Sequence, residues 1–147
     1  MLFFTKIVVA LIPFILMFSR INANADSTRD FITTEAEQGN TDAQFSLGCS
    51  FYEGEDVAKD AVEAVKWFRM AAKQGHVGAQ IYLGIIYYEG EGVEKNVVEA
   101  YALYKLASVT NEIGLKKRDE IAKEMTPEQI AAAEKRVMEL QKEFKSN

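Results

Sequence analysis

The sequence predicts an all-α solenoid in which short helical hairpins stack side by side. Three observations support this: residues recur at an offset of 36, each copy has the apolar spacing of two helices, and no segment reads as a strand. The composition also fits one folded domain, since 48% of the 147 residues are hydrophobic and 27% are charged.

The repeat can be written as two units, at residues 39–74 and 75–110. Residues 39–48 align with residues 75–84, with five identities in the ten positions, and further identities continue through each unit at the same offset. In the first copy the apolar spacing predicts a first helix over about 41–53 and a second over about 60–74. Each unit is therefore expected to be a helical hairpin.

The ends of these helices carry typical signals. Asp60 and Asn96 are predicted N-caps, and the glutamates three residues further on, Glu63 and Glu99, predict the reciprocal bond of a capping box. Gly54 and Gly90 stand where the first helix of each unit should end, because glycine accepts the left-handed conformation found there.

Incomplete units are predicted on both sides of the two full ones. Residues 29–38 predict a lone second helix, and residues 111–147 form the C-terminal cap. The cap begins with a degraded first helix, and Thr126 with Gln129 predicts the start of a longer one. That helix carries an apolar stripe, expected to seal the last repeat: Ile130, Ala133, Val137, Leu140 and Phe144. Docking of this helix onto a second protein is the alternative.

Three motifs at fixed spacing resemble the Sel1-like repeat, a relative of the tetratricopeptide repeat. They are Ala-x-x-x-Leu-Gly, Tyr-x-Gly-x-Gly-Val and Ala-x-x-Trp-Phe-x-x-Ala-Ala-x-x-Gly, all between residues 39 and 111. The resemblance implies a right-handed solenoid of two full units with an N-terminal half-unit and C-terminal capping helices. Leu103, Ser108 and Asp56 depart from the pattern, and the first two predict looser packing of the second helix in the second unit.

Residues 1–25 have the three-part pattern of a secretory signal peptide. Lys6 precedes twelve residues without a polar side chain, and Ala23 and Ala25 are the small residues that a signal peptidase needs. The apolar run is shorter than the ~20 residues of a membrane span, and Pro13 interrupts it. We therefore predict export to the periplasm or the medium, with 26–147 as the repeat domain. An uncleaved anchor and a buried helix are the alternatives.

Charge and cysteine content narrow the function classes. Of the 17 basic residues, Lys6 and Arg20 lie in the predicted signal, so 15 basic and 22 acidic residues remain and the net charge goes from −5 to −7. This balance disfavours nucleic acid and anionic lipid as partners. Cys49 is the only cysteine, which excludes an intramolecular disulfide and a thiolate metal cluster.

No constellation of catalytic or metal-binding residues stands out. His76 is the only histidine and falls in a turn, with no nucleophile paired to it in the sequence. The acidic turns after Glu53 and Glu89 lack the ligand spacing of a calcium loop. We predict no enzyme, no cofactor and no metal site, and a hydrolase acting on cell wall or β-lactam is the least favoured alternative.

The candidate site is an apolar stripe on the first helix of each unit, bordered by two acidic residues. We call it the groove stripe, and it consists of Phe45, Cys49, Tyr52 and Glu53 in the first unit and of Ile81, Ile85, Tyr88 and Glu89 in the second. In related repeats this face lines a concave groove. It predicts a protein or peptide partner with an apolar side and some positive charge. The alternative is that neighbouring helices bury the stripe.

The resemblance allows more than one use of such a groove. It implies an exported protein–protein interaction module that binds a partner protein or peptide in the concave groove. A periplasmic immunity or regulatory protein for a secreted effector, and a host-interaction factor, are both compatible with the sequence. A scaffold formed by self-association is a third possibility, whereas we predict a monomer.

Overall fold

Helices make up the structure, a computed structural model that describes residues 28–55 and 57–145. No strand occurs in these two ranges, which confirms the all-α prediction. The predicted signal segment 1–25 and Asp56 lie outside the described residues. The helices are α1 (28–37), α2 (Thr41–Glu53), α3 (Ala61–Lys73), α4 (Val77–Glu89), α5 (Val97–Ala107), α6 (Glu112–Ala122) and α7 (Pro127–Lys145).

The helices stack as the repeats predict. Helix α2 packs along α3 and α4 along α5, so that each unit is a hairpin. Contacts between α3 and α4, and between α5 and α6, join the hairpins into a continuous solenoid. Within the described ranges, none of the helices combines the length and apolar character needed to cross a bilayer.

The second helix of each unit begins with the predicted N-cap. The side chain of Asp60 accepts backbone N–H groups of the first turn of α3, and Asn96 does the same for α5. The predicted reciprocal bond from Glu63 and Glu99 to the backbone of the N-cap residues is wrong. The backbone N–H groups of Asp60 and Asn96 instead donate to the carbonyls of Phe51 and Tyr87, at 2.8 Å in both units. This bond ties the start of each second helix to the end of the first.

Glycines end the first helices as predicted. Gly54 and Gly90 have φ values of 78° and 77°, and their N–H groups donate to the carbonyls of Ser50 and Ile86. The left-handed conformation closes each helix because glycine has no Cβ to oppose it.

Two glycines inside helices let aromatic rings approach the backbone. The ring of Phe68 lies over Gly48, and the ring of Tyr104 lies over Gly84. A Cβ atom at either glycine would come closer than 3.0 Å to ring atoms, a separation that real Cβ atoms essentially never show. Each hairpin is therefore held at a distance that only glycine permits.

The C-terminal helix α7 contacts more than one repeat of the solenoid. Thr126 and Gln129 form the predicted capping box, with bonds of 2.9 and 3.3 Å between each side chain and the other's N–H. Helix α7 packs along α5 and also reaches α3, which confirms that it seals the last repeat. The looser packing expected for α5 is wrong, because Leu103 is fully buried in the core on which α7 packs.

Charged side chains join α7 to α5. The guanidinium of Arg136 binds the carboxylate of Glu99 through two hydrogen bonds, of 2.6 and 3.1 Å, and also binds Glu143 at 2.8 Å. Nearby, Glu134 accepts hydrogen bonds from Tyr101 and Lys105. Glu99 is only 9% exposed, so the glutamate that was expected to complete a capping box anchors the cap helix instead.

Candidate binding groove

Aromatic side chains fill the junction between the first hairpin and α4, which we call the first junction. The ring of Tyr82 stacks on Phe68 with centroids 5.1 Å apart. Tyr52 and Phe45 present their edges to the same Tyr82 ring, each at 5.7 Å. Such offset and edge-to-face contacts stabilise beyond the area that they bury. The first-unit half of the groove stripe thus packs on the next hairpin through Tyr82.

Most of the groove stripe lies at the surface of the core. Its apolar members Phe45, Cys49, Tyr52, Ile85 and Tyr88 are half-buried, and its acidic members Glu53 and Glu89 are exposed. Ile81 differs from the rest, since it is 8% exposed and belongs to the core.

Tyr82 takes the place expected for Ile81 on this face. The sequence comparison missed it because the first unit has Ser46 at the matching position, so the offset of 36 does not mark it. A signal was present, since Tyr82 lies three residues before Ile85 of the stripe, and residues three apart share a helix face.

Lysines and glutamates border the stripe. Lys59 pairs with Glu91 at 2.6 Å, and its ammonium lies 5.4 Å from the centroid of the Tyr52 ring. In the second unit the ammonium of Lys95 lies 4.8 Å from the ring centroid of Tyr88. Among the described residues neither Glu53 nor Glu89 takes part in a salt bridge. Both carboxylates are exposed at the edge of the stripe.

The junction between the second hairpin and α6, which we call the second junction, contains a cavity of about 370 Å³. Tyr88, Tyr104 and Ile121 give it an apolar wall. Its remaining lining is charged and comes from α6 and the turn after it: Lys117, Glu120, Lys123 and Glu124. The hydroxyl of Tyr88 donates to Glu124 at 2.9 Å, across this junction.

The Cys49 thiol and the Tyr52 hydroxyl of the stripe are held in their neutral forms. Burial, followed by the charges of Glu89 and Glu91, raises the pKa of Tyr52 to about 12. Burial, followed by the charge of Glu53, raises the pKa of the Cys49 thiol to about 11. Both groups are neutral at physiological pH, so these two side chains can contribute apolar contact and hydrogen bonds, but no charge, to recognition of a partner.

Cys49 should therefore react slowly with a thiol-specific maleimide. At pH 8 the raised pKa lowers its thiolate population by about two orders of magnitude relative to a free cysteine. We expect labelling of the folded protein to be at least ~100-fold slower than in denaturant. A Glu53→Gln variant should label faster, since one cause of the raised pKa is removed. Equal labelling rates in folded and denatured protein would contradict the structure here.

His76 has a structural role at the start of α4. Its Nδ1 accepts the N–H of Ala79 at 3.1 Å, which caps the helix as Asn40 caps α2. Its ring stacks on Phe45 with centroids 4.3 Å apart, and Asp42 lies 3.6 Å from its Nε2. The cap fixes the orientation of the ring against the first-unit half of the groove stripe.

Comparison with known proteins places these features in a family. The Sel1 repeat matches the chain twice, at residues 41–76 and 77–108. A protective antigen of uropathogenic Escherichia coli strains, which displays an SLR fold, superimposes with a TM-score of 0.76 at 36% identity, over 79% of this chain and 25% of that one. A Sel1 repeat protein from Oxalobacter formigenes does so with a TM-score of 0.55 at 40% identity, over 57% of this chain and 34% of that one.

Three further findings concern curated proteins, the length of the solved relatives and the general role of the repeat. No curated protein matches the chain. The chain spans about a quarter and a third of the length of the two solved chains. Sel1 repeats are generally non-enzymatic modules that bind protein partners. With two tandem Sel1 repeats and the fold of solved relatives, this chain is a Sel1-like repeat protein.

Proposed function

We propose that this protein is an interaction module that binds a segment of a partner protein along the face formed by α2, α4 and α6. The observation that carries the proposal is the half-buried groove stripe, which leaves aromatic surface accessible beside two carboxylates that lie outside any described salt bridge. Tyrosine and phenylalanine are preferred anchors in such sites, because they bury much area with few rotatable bonds.

The partner's chemistry follows from the two kinds of group on this face. An apolar side of the bound segment would cover Tyr52, Ile85 and Tyr88, whose rings and methyl groups are partly exposed. Lysine or arginine residues at its edge would approach Glu53 and Glu89. A bound segment that is extended or helical can present both features along one side.

We further propose that the protein acts after export, as a monomer in the periplasm or the medium. The signal-like pattern of residues 1–25 supports export, and the likeness to a protective antigen is in keeping with it. Immunity or regulation of a secreted effector and contact with a host cell are the two uses that suit such a module. Identification by mass of the proteins co-purified from the native periplasm would separate them.

The test of the groove is a double substitution, Tyr52→Ala with Tyr88→Ala. We expect it to abolish capture of the partner, because both rings lie on the proposed contact face, while helical circular dichroism stays unchanged. The matched control is Met138→Ala, which removes a side chain that is 56% exposed on α7. Undiminished capture by the double variant would contradict the assignment of the groove.

A further inference from the structure

The two junctions of the solenoid have the same plan. Counted from their N-caps, Tyr88 in α4 corresponds to Tyr52 in α2, and Tyr104 in α5 corresponds to Phe68 in α3. Each junction therefore has a tyrosine from a first helix and an aromatic ring from a second helix, placed at equivalent positions. Helix α6 stands where the first helix of a third unit would be. It completes the second junction as α4 completes the first.

The residue that fills the first junction is missing from the second. Tyr82 is the sixth residue after the cap of α4, and the sixth residue after the cap of α6 is Lys117. Burial supports this register, because Ile86 and Ile121 are both the tenth residue after their caps and both are buried. Lys117 lines the cavity of about 370 Å³, so the space lies where the first junction holds a tyrosine ring.

The first junction shows what the second could hold. There the ring of Tyr82 stacks on Phe68 and makes an edge-to-face contact with Tyr52. Burial, followed by Cys49 and the carboxylate of Glu53, raises the pKa of its hydroxyl, so Glu53 lies near that hydroxyl. In the second junction Tyr104 and Tyr88 offer the corresponding two rings, and Glu120 and Glu124 supply carboxylates in the cavity lining. The volume is sufficient, since a cavity of about 150 Å³ already accepts benzene.

We propose that the cavity of the second junction receives a tyrosine side chain from the bound partner segment, in the position that Tyr82 occupies at the first junction. The proposal rests on the proposed function and specifies an anchor for it. The phenol ring would stack on Tyr104 and meet Tyr88, and its hydroxyl would donate to a carboxylate of α6. Lys117 would have to swing outward, which its flexible stem allows.

A direct test uses small probes in place of the partner. We expect N-acetyltyrosine amide to shift the backbone NMR signals around Tyr88, Tyr104 and Lys117, with a dissociation constant on the order of millimolar. N-acetylleucine amide, which has neither ring nor hydroxyl, should shift these signals far less at the same concentration. Absence of shifts with the tyrosine probe, or equal shifts with both probes, would overturn the proposal.

A filling variant tests the same cavity from inside. Lys117→Tyr should place the missing ring, raise the melting temperature and abolish the shifts caused by the tyrosine probe. The matched control is Lys116→Tyr, one residue earlier. Its side chain is 78% exposed and meets Glu120 only at 4.0 Å, so this variant should leave probe binding intact. Probe binding that persists unchanged in Lys117→Tyr would show that the phenol binds elsewhere and overturn the proposal.

Capture of the partner then separates the cavity from the groove. If Lys117→Tyr loses capture while Lys116→Tyr keeps it, the anchor is supported. If Lys117→Tyr keeps capture and the double substitution of Tyr52 and Tyr88 loses it, the groove stands and the anchor is wrong. If capture survives in all of these variants, the proposed function is wrong as well.

Discussion

Replacing Arg136 with alanine should lower the free energy of unfolding by about 2–3 kcal/mol, because it leaves a buried carboxylate without its partner. Glu99 is 9% exposed and receives two hydrogen bonds from the Arg136 guanidinium. Those bonds, led by the ones to Glu99, raise the pKa of Arg136, so its charge is present at every accessible pH. Urea denaturation followed by circular dichroism measures the loss.

A second variant shows whether the cost comes from the unpaired charge. Replacing both Glu99 and Arg136 with methionine removes the two charges and keeps apolar volume, so we expect stability much nearer to that of the native protein. Arg136→Lys should fall between, because an ammonium cannot make the paired bonds of a guanidinium. A double variant as unstable as Arg136→Ala would show that the arginine acts by packing alone.

Gly84→Ala should destabilise the protein by about 1–3 kcal/mol, although alanine is the better helix former. The added methyl group would meet the ring of Tyr104, which is 3% exposed and has little room to move. The hairpin of the second unit would have to open to admit it. The change in the midpoint of urea unfolding measures the effect.

The same substitution elsewhere in α4 provides the control. A Cβ at Gly78 would lie 3.0 Å from His76 and 3.2 Å from Phe45, contacts that a small side-chain shift relieves. Gly78→Ala should therefore stay within about 1 kcal/mol of the native protein, helped by the gain in helix propensity. Equal destabilisation by the two variants would mean that the close approach of Tyr104 is not what distinguishes Gly84.

Features that depend on neighbours in the chain were predictable from the sequence. The bounds of α2, the caps at Asp60 and Asn96 and the left-handed Gly54 and Gly90 all agree with the structure, since each is set within one or two helical turns. The apolar stripe of α7 likewise specified the face that packs. The constant offset of 36 between the two units then indicated how the hairpins stack.

Features that depend on distant partners were not predictable in the same way. Glu99 and Arg136 are 37 residues apart, and no local pattern marks them as a pair. Helix α4 is apolar around most of its circumference because it has neighbours on both sides, so periodicity could not decide between Ile81 and Tyr82 for the exposed face. The cavity exists because the second junction lacks the tyrosine ring that fills the first. This contrast becomes apparent only when the side chains of both junctions are placed.

The division of the core has a consequence for how the solenoid holds together at its N-terminal edge. A separate small cluster, built on Ala36, Ala43, Leu47 and Trp67, joins α1 and α2 to α3, whereas α7 lies over α3 and α5. This edge is the part expected to open first in local unfolding, since among the described residues its own cluster has only four buried members. The rings of Phe45 and Tyr52 connect α2 to the next hairpin through their contacts with Tyr82. A partner bound to those rings would also stabilise the packing of α2 on the next hairpin. Its affinity and the local order of α2 would therefore be thermodynamically coupled.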